Sequence, residues 1–354
     1  PIILHIITKK GKGLDAAVRN PEKFHGATPY NVVTGESLNK DKSVPNYQDA
    51  MGQALVRFAK KDEKIVGITA AMASGTGLSF IKKELPRQFF DVGIAEEHAA
   101  VFAAGMACEG FTPVTAIYST FMQRAYDCAM HDVCLQKLPV TFCLDRAGLS
   151  PNDGATHHGL FDISFLRPLP NAVIMQPKDE DELTDMLWTS IQSKRPSFIR
   201  YPRGKGEGVK IKEEPALLEI GKAEVLKESD GGVCVWALGN MVKEALAAAA
   251  AIESATGRKI GVVNARYVKP LDVELLLKCA DSNKTIVTIE DHVATGGFGS
   301  AVAECLLTNG KKCALDIIGW LDKFIPHGTD VKTIRAQFNL DTDQIEARIK
   351  SHLS

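Results

Sequence analysis

The sequence predicts an α/β protein: two α/β domains built on mainly parallel sheets, preceded by a short segment that belongs to neither. Three observations predict it. From Tyr47 onward, short apolar runs of strand length alternate with longer helix-like stretches, the pattern of parallel strands linked by covering helices. A charged, glycine-bearing stretch at 204–214 divides that alternation in two. The length, 354 residues, suits two or three domains at roughly 150 residues each.

The elements follow in order. Residues 2–8 form an apolar run that reads as a strand, and residues 9–13, KKGKG, as a basic, glycine-rich turn. Pro1 is not an initiator methionine, so the opening reads as a strand already under way, the tail of a further domain. Polar, proline- and glycine-punctuated sequence at 20–45 reads as a linker. A helix is expected at 48–60, strands at 64–69 and 89–92, a helix from residue 95, and a strand at 114–118. Next come a helix over 121–136, strands at 140–144 and 172–175, a helix from residue 179 and a strand at 197–201. Beyond the charged stretch, strands at 233–238, 260–263 and 285–289 alternate with helices such as the alanine-rich 242–254, whose composition is simply good helix-forming sequence. The division expected is 1–46, 47–205 and 206–354.

The composition, 45% hydrophobic and 24% charged, is that of an ordinary globular chain. A net charge of −1 provides no basic footprint for nucleic acid or an anionic membrane, so any anion site must be local. No apolar run reaches the roughly 18 residues of a membrane-spanning helix, and PIILHII followed by KKGKG reverses the order of a signal peptide. The eight cysteines form no CxxC pair and several sit in apolar patterns, as expected of reduced thiols in a cytosolic or stromal compartment.

Chemistry is concentrated at predicted strand ends. In open α/β sheets the ligand crevice lies beyond the carboxyl ends of the strands. FDVGIAEEHAAVFAA, 90–104, aims Glu96 there from a strand-to-helix turn. The plain alternative is an acid that merely suits the first turn of a helix, where the macrodipole favours it. Arg146 in LDRAG and Arg203 in RYPRG also follow predicted strands, and planar guanidinium groups can hold phosphate bidentately. Asp153 and His157 sit in NDGATHHG, a glycine-containing loop, and histidine exchanges protons near neutral pH. GGFGSA at 296–301 lacks the GxGxxG spacing of a nucleotide loop.

These blocks, together with AIYSTFMQRAYDCAMHDVCLQKLPV from Ala116, HIITKKGKG, NPEKFHG, EDHVATGGFGSAV and DKFIPHGT, resemble the thiamine-diphosphate-dependent 1-deoxy-D-xylulose-5-phosphate synthase family, which is transketolase-like. The resemblance runs over nearly the whole chain. It implies a pyrimidine-binding domain at 47–205, a transketolase C-terminal-like domain at 206–354, and at 1–46 the tail of a diphosphate-binding domain with its linker. The implied reaction joins pyruvate, after decarboxylation, to D-glyceraldehyde 3-phosphate, the first step of the non-mevalonate isoprenoid pathway.

The resemblance also implies roles. Glu96 is the acid set against the cofactor's aminopyrimidine, a task that desolvation of a carboxyl would assist. Phe121 stacks on the pyrimidine with Arg124 beside it, Met72 and Ile94 support the cofactor's bent shape, and Lys10 reaches its diphosphate. Arg146 and Arg203 grip the acceptor's phosphate, and Tyr118 contacts substrate. His157, Asp153 and His25 join the catalytic group. Mg2+ would be bound by an acidic motif of the diphosphate-binding domain, and a homodimer is expected. Glu97 beside Glu96 and His158 beside His157 depart from the family pattern, and His98 and His131 read as structural. The rivals are a split transketolase, a 2-oxo-acid dehydrogenase β subunit and a non-catalytic partner subunit. The TKKG opening and NPEKFHG argue against the first two, and retention of Glu96, His157 and both arginines argues against the third.

Overall fold

The computed structural model describes every residue except 22, 25–28, 39–42 and 354. Two compact units are present, Pro1–Pro45 and Asn46–Ser354.

In the first unit the run at 2–8 is not a strand: Ile2, Ile3, Leu4, Ile6 and Ile7 are exposed and pair with nothing in a sheet among the described residues. An apolar run becomes a strand only where a neighbour satisfies its backbone, and the described residues of 1–45 offer none. KKGKG does form a turn, closed by Lys12 N–H to the Lys9 carbonyl at 3.1 Å, with Gly11 at φ +80°. The helix Asp15–Arg19 follows, and Phe24 meets Tyr30 edge-on at 5.0 Å.

The second unit contains the strands β1 (Ile65–Thr69), β2 (Phe89–Asp91), β3 (Thr112–Tyr118), β4 (Thr141–Asp145), β5 (Val173–Met175), β6 (Ser197–Arg200), β7 (Glu224–Lys227), β8 (Val233–Ala237), β9 (Gly261–Asn264), β10 (Tyr267–Lys269), β11 (Thr285–Val293) and β12 (Ala314–Trp320). One sheet has the order β10-β5-β6-β4-β3-β1-β2 and is parallel except for β10; the other has the order β12-β11-β8-β9-β7 and is parallel except for β7. Both are α/β as the alternation predicts, with wholly buried inner strands such as β1, β3, β4, β6 and β8.

Three strands escape the sequence reading. β7 and β10 are short antiparallel edges, and β12 is a half-exposed edge. β10 follows β9 in the chain yet pairs with β5, setting Tyr267 opposite Met175, so residues beyond the charged stretch complete the first sheet.

Packing explains the alanines of the helix Glu96–Cys108. Ala99, Ala100, Ala103, Ala104 and Ala107 are buried in the core with Ile68, Ile117, Phe142 and Phe198. Small side chains let this helix lie close over the sheet, which brings its first turn down to the strand ends. The same cluster runs on through Trp236, Val263 and Phe298, so one apolar core joins both sheets. No helix among the described residues is long and apolar enough to cross a membrane.

The helix expected over 121–136 is broken into a 3-10 stretch, Ser119–Ala125, a single α-turn, Tyr126–Cys128, and a π-helical stretch, Ala129–Cys134. The 3-10 geometry has a local consequence: residues i and i+3 eclipse. Arg124 therefore lies over the ring of Phe121, 4.5 Å from its centroid.

Candidate active site

The candidate residues of the second unit hang from the carboxyl ends of β1, β2, β3, β4 and β6. Met72 follows β1, and Ile94 and Glu96 follow β2. The two loops are tied by Asp91, whose carboxylate accepts from Ala71 N–H at 2.8 Å and Gly93 N–H at 3.1 Å. Glu96 begins its helix and is buried, while Glu97 points to solvent. The Glu96 carboxylate accepts from Arg124 Nη1 at 2.7 Å. Ile94, by contrast, is 82% exposed, an apolar side chain with little protein against it at the mouth of the crevice.

Tyr118 ends β3 and stacks on Phe121 at 5.6 Å, and the His157 imidazole meets Phe121 edge-on at 5.1 Å. The Arg146 guanidinium lies over the Tyr118 ring, 3.7 Å from its centroid. Burial pushes the Tyr118 phenol above its ordinary value, against the opposing charge of Arg146. The tyrosine needs glycine opposite: a Cβ on Gly75 would stand 2.0 Å from the Tyr118 hydroxyl.

Arg146 occupies a left-handed backbone conformation, φ +60°, which arginine rarely adopts. Its Nη1 donates to the Gly75 carbonyl at 2.7 Å and to Asp145 at 2.8 Å, and its Nε lies 3.5 Å from Asp153. Asp153 also pairs with Arg203 and accepts from Ser150 Oγ at 2.8 Å. Burial pushes the Asp153 carboxyl up, but the hydrogen bonds from Arg203 and Ser150 and the two arginine charges outweigh it and hold the group below its ordinary range. Burial, helped by Arg146, Arg203 and Arg124 and opposed by Asp153, holds His157 below the ordinary histidine value. Its Nδ1 is 2.8 Å from Thr156 Oγ1.

One unbroken run of contacts therefore joins Glu96, Arg124, Phe121, Tyr118, His157, Arg146, Asp153 and Arg203. Met72 approaches it from the β1 loop, with its Cε near the position of a Gly75 Cβ. Lys10 lies in the first unit, and His25 falls outside the described residues. His158 anchors the loop: its Nδ1 accepts from Ser150 N–H at 3.0 Å, which leaves the proton on Nε2, toward the Pro326 carbonyl at 3.4 Å. His98 and His131 are both exposed, and His131 pairs with Asp127 at 2.9 Å. Among the described residues no group of three or more His, Cys, Asp or Glu is placed to hold a metal ion.

Residue-by-residue reading missed the polar groups beneath this site. Asp145 is fully buried under Arg146. Arg200, in the same motif as Arg203, is fully buried instead and donates to Asp162 at 3.0 and 3.1 Å and to the Gly159 carbonyl at 3.2 Å. In the second sheet, both oxygens of Glu290 accept backbone N–H groups at the start of the helix Phe298–Thr308, from Phe298 at 2.6 Å and Gly299 at 2.7 Å. That is the use of GGFGSA: a Cβ on Gly297 would stand 2.2 Å from Glu290, so the glycine lets the carboxylate reach the helix end. The available signal was a charged residue within or at the end of an apolar strand, as in FCLDR, SFIRY and IVTIEDH.

The chain also matches known proteins. Residues 43–207 match the transketolase pyrimidine-binding domain, and residues 221–345 match the transketolase C-terminal domain. The chain is 48% identical, over its full length, to the 1-deoxy-D-xylulose-5-phosphate synthase of Acidobacterium capsulatum, and 50% identical, over 93% of its length, to that of Halothermothrix orenii. It spans about half the length of these curated relatives, 56% and 51%. Among solved structures, a split-gene transketolase described as an inactive β4 tetramer superposes with a TM-score of 0.76 at 30% identity, over 87% of this chain and 98% of that one. Campylobacter jejuni transketolase shares the fold, with a TM-score of 0.72 at 21% identity over 86% of this chain and 46% of that one. Over its pyrimidine-binding and C-terminal domains, the chain belongs to the 1-deoxy-D-xylulose-5-phosphate synthase family of transketolase-like proteins.

Proposed function

We propose that this chain carries the pyrimidine-binding half of a thiamine-diphosphate site that converts pyruvate and D-glyceraldehyde 3-phosphate to 1-deoxy-D-xylulose 5-phosphate with release of carbon dioxide, the opening step of the non-mevalonate isoprenoid pathway. The observation that carries the reading is the single run of contacts from Glu96 to Arg203, which puts a buried acid and a two-arginine anion site in one crevice. In this reading residues 47–205 form the pyrimidine-binding domain, 206–354 the C-terminal domain, and 1–46 a linker with the tail of a diphosphate-binding domain. The working form is a homodimer.

The residues present suit the cofactor's pyrimidine end. Glu96 offers a buried carboxyl steadied by Arg124, Phe121 an aromatic ring, and Ile94 an apolar shoulder left open. Met72 lines the same side, and stacking against Phe121 would add about 0.5–1.5 kcal/mol beyond burial. The diphosphate and Mg2+ are assigned to a diphosphate-binding domain such as the longer relatives have room for, with Lys10 reaching the diphosphate and His25 the active site. Bound thiamine diphosphate supplies a carbon nucleophile and an electron sink for decarboxylation.

In this reading each residue of the run has a part to play. Glu96 is the carboxyl that exchanges a proton with the pyrimidine edge, and Arg124 fixes which carboxyl oxygen faces it. Arg146 and Arg203 bind the acceptor's phosphate, displacing their shared partner Asp153, which then turns to the acceptor's hydroxyl. Burial keeps His157 largely neutral at pH 7, so its imidazole can accept or return a proton beside Phe121 and Tyr118.

The test is product analysis with pyruvate, glyceraldehyde 3-phosphate, thiamine diphosphate and Mg2+, with and without the diphosphate-binding domain of a related synthase. Phosphorylated deoxyxylulose formed once that domain is supplied is the expected result. Absence of the product with the domain present, or formation of a transketolase product from ketose donors instead, overturns the reading.

A further inference from the structure

Arg146 is held on three sides, and only one of them is a residue assigned above to substrate. Tyr118 stacks beneath the guanidinium, the Gly75 carbonyl takes Nη1 at 2.7 Å, and the Asp145 carboxylate takes the same Nη1 at 2.8 Å. Asp145 ends β4, is fully buried, and lies opposite Tyr118 in the register of β3 and β4. Its second oxygen, Oδ2, has no hydrogen-bond partner among the described residues. A wholly buried carboxylate with half of its acceptor capacity unused is costly, and such a group is retained where its one strong contact matters. That contact fixes a guanidinium whose backbone is already in a rare conformation, φ +60°.

The geometry also separates the two edges of Arg146. Nη1 is committed to the protein, while Nε points toward Asp153, which pairs in turn with Arg203. Among the described residues Arg203 has no comparable support: its side chain is 30% exposed against 7% for Arg146. The anion site thus has one anchored and one adjustable arginine, and the anchor is Asp145.

We propose that Asp145 is a positioning residue for anion recognition: by holding Nη1 of Arg146 against the Tyr118 ring, it presents the Nε edge of that guanidinium to the phosphate of the acceptor. The inference rests on the phosphate-binding role of Arg146 proposed above. Asp145 acts through Arg146 and does not itself touch substrate. Burial pushes its carboxyl up to about 6, with Arg146 pulling the other way, so it is ionised at pH 7.5, where the hold is needed.

The test is calorimetric titration of the full chain with inorganic phosphate at pH 7.5, for the unmutated protein and for D145A, D145N, R146A and the D145A/R146A pair. Asp145→Ala is expected to weaken phosphate binding about tenfold. Asp145→Asn keeps an oxygen acceptor for Nη1 and is expected to recover binding to within about threefold of the unmutated protein, a rescue that a general loss of packing would not show. In the R146A background D145A should have no further effect, because coupled residues are not additive. Should the alanine variant fail to fold, Asp145→Leu, of similar volume and without an acceptor, is titrated in its place. R146A weakening phosphate while D145A leaves it unchanged overturns this inference and leaves the phosphate reading intact, as does a D145A loss that persists without Arg146. Phosphate binding that is absent from the unmutated protein, or indifferent to R146A, overturns both.

Discussion

Replacing Arg203 by alanine separates the acceptor half of the proposed site from the donor half. The arginine follows β6 and reaches back over the crevice to Asp153, which lies between it and Arg146. Charge-assisted hydrogen bonds contribute about 1.5–3 kcal/mol each, and removing this arginine takes away at least one bond to the acceptor's phosphate. Part of the loss is returned, because Asp153 no longer has to leave Arg203 when phosphate arrives. The net expectation is at least tenfold in the KM for glyceraldehyde 3-phosphate, where 1.4 kcal/mol is tenfold. The KM for pyruvate should stay within twofold, since among the described residues Arg203 reaches Glu96, Phe121 and Arg124 only through intervening residues and touches none of them directly. The assay is steady-state kinetics with the diphosphate-binding domain of a related synthase supplied, each substrate varied in turn and unphosphorylated glyceraldehyde as the comparator acceptor. R203A should leave kcat/KM for glyceraldehyde nearly unchanged. Equal use of glyceraldehyde and its phosphate by the unmutated protein, or a parallel rise in both KM values for R203A, would refute the phosphate assignment.

Three further outcomes are expected. Glu96→Gln keeps the acceptor for Arg124 but removes the ionisable proton, so hydrogen–deuterium exchange at the thiazolium carbon of added cofactor, read by quenched NMR, should slow at least about a hundredfold; the exposed Glu97→Gln is the control, and a larger loss there means the wrong carboxyl has been assigned. Glu290→Gln turns an amide N–H toward one of the two backbone donors at Phe298 and Gly299 and should cost about 1–3 kcal/mol in urea unfolding; unchanged stability would show that the helix end is satisfied in another way. Asp145, buried and pushed from 3.8 to about 6, binds its proton more tightly folded than unfolded, so its contribution to stability is fullest below pH 4 and is lost as pH rises through 6. The difference in unfolding free energy between the unmutated protein and D145N should therefore fall by up to about 3 kcal/mol between pH 4 and 7.5, at about 1.4 kcal/mol per unit, and a difference flat in pH would contradict it.

Several features were legible because they are local. Apolar runs long enough for a strand and bounded by glycine or polar residues mark β1, β3, β4, β6 and β8 to within two residues. The candidate residues Glu96, Tyr118, Arg146 and Arg203 were readable for the same reason: each lies within a few residues of a strand's carboxyl end, and a parallel sheet gathers those ends on one edge. The break at 119–134 was not legible, because its sequence has ordinary helical periodicity. The 3-10 stretch lies against the helix Glu96–Cys108, a tertiary contact that local periodicity does not record.

By itself, then, the sequence determined where the buried parallel strands β1, β3, β4, β6 and β8 lie and which side chains stand at their carboxyl ends, since both depend on spacing along the chain. Tertiary structure alone decided the partners. Only pairing shows that β10 completes the first sheet against β5, that the run at 2–8 is not a strand, and that of the two arginines in RYPRG one is sealed against Asp162 while the other opens toward Asp153. The physical reason is common to all three. Strand pairing, burial and ion pairing join residues tens or hundreds of positions apart, and the free energy of a charged or hydrogen-bonding group depends on what surrounds it in space.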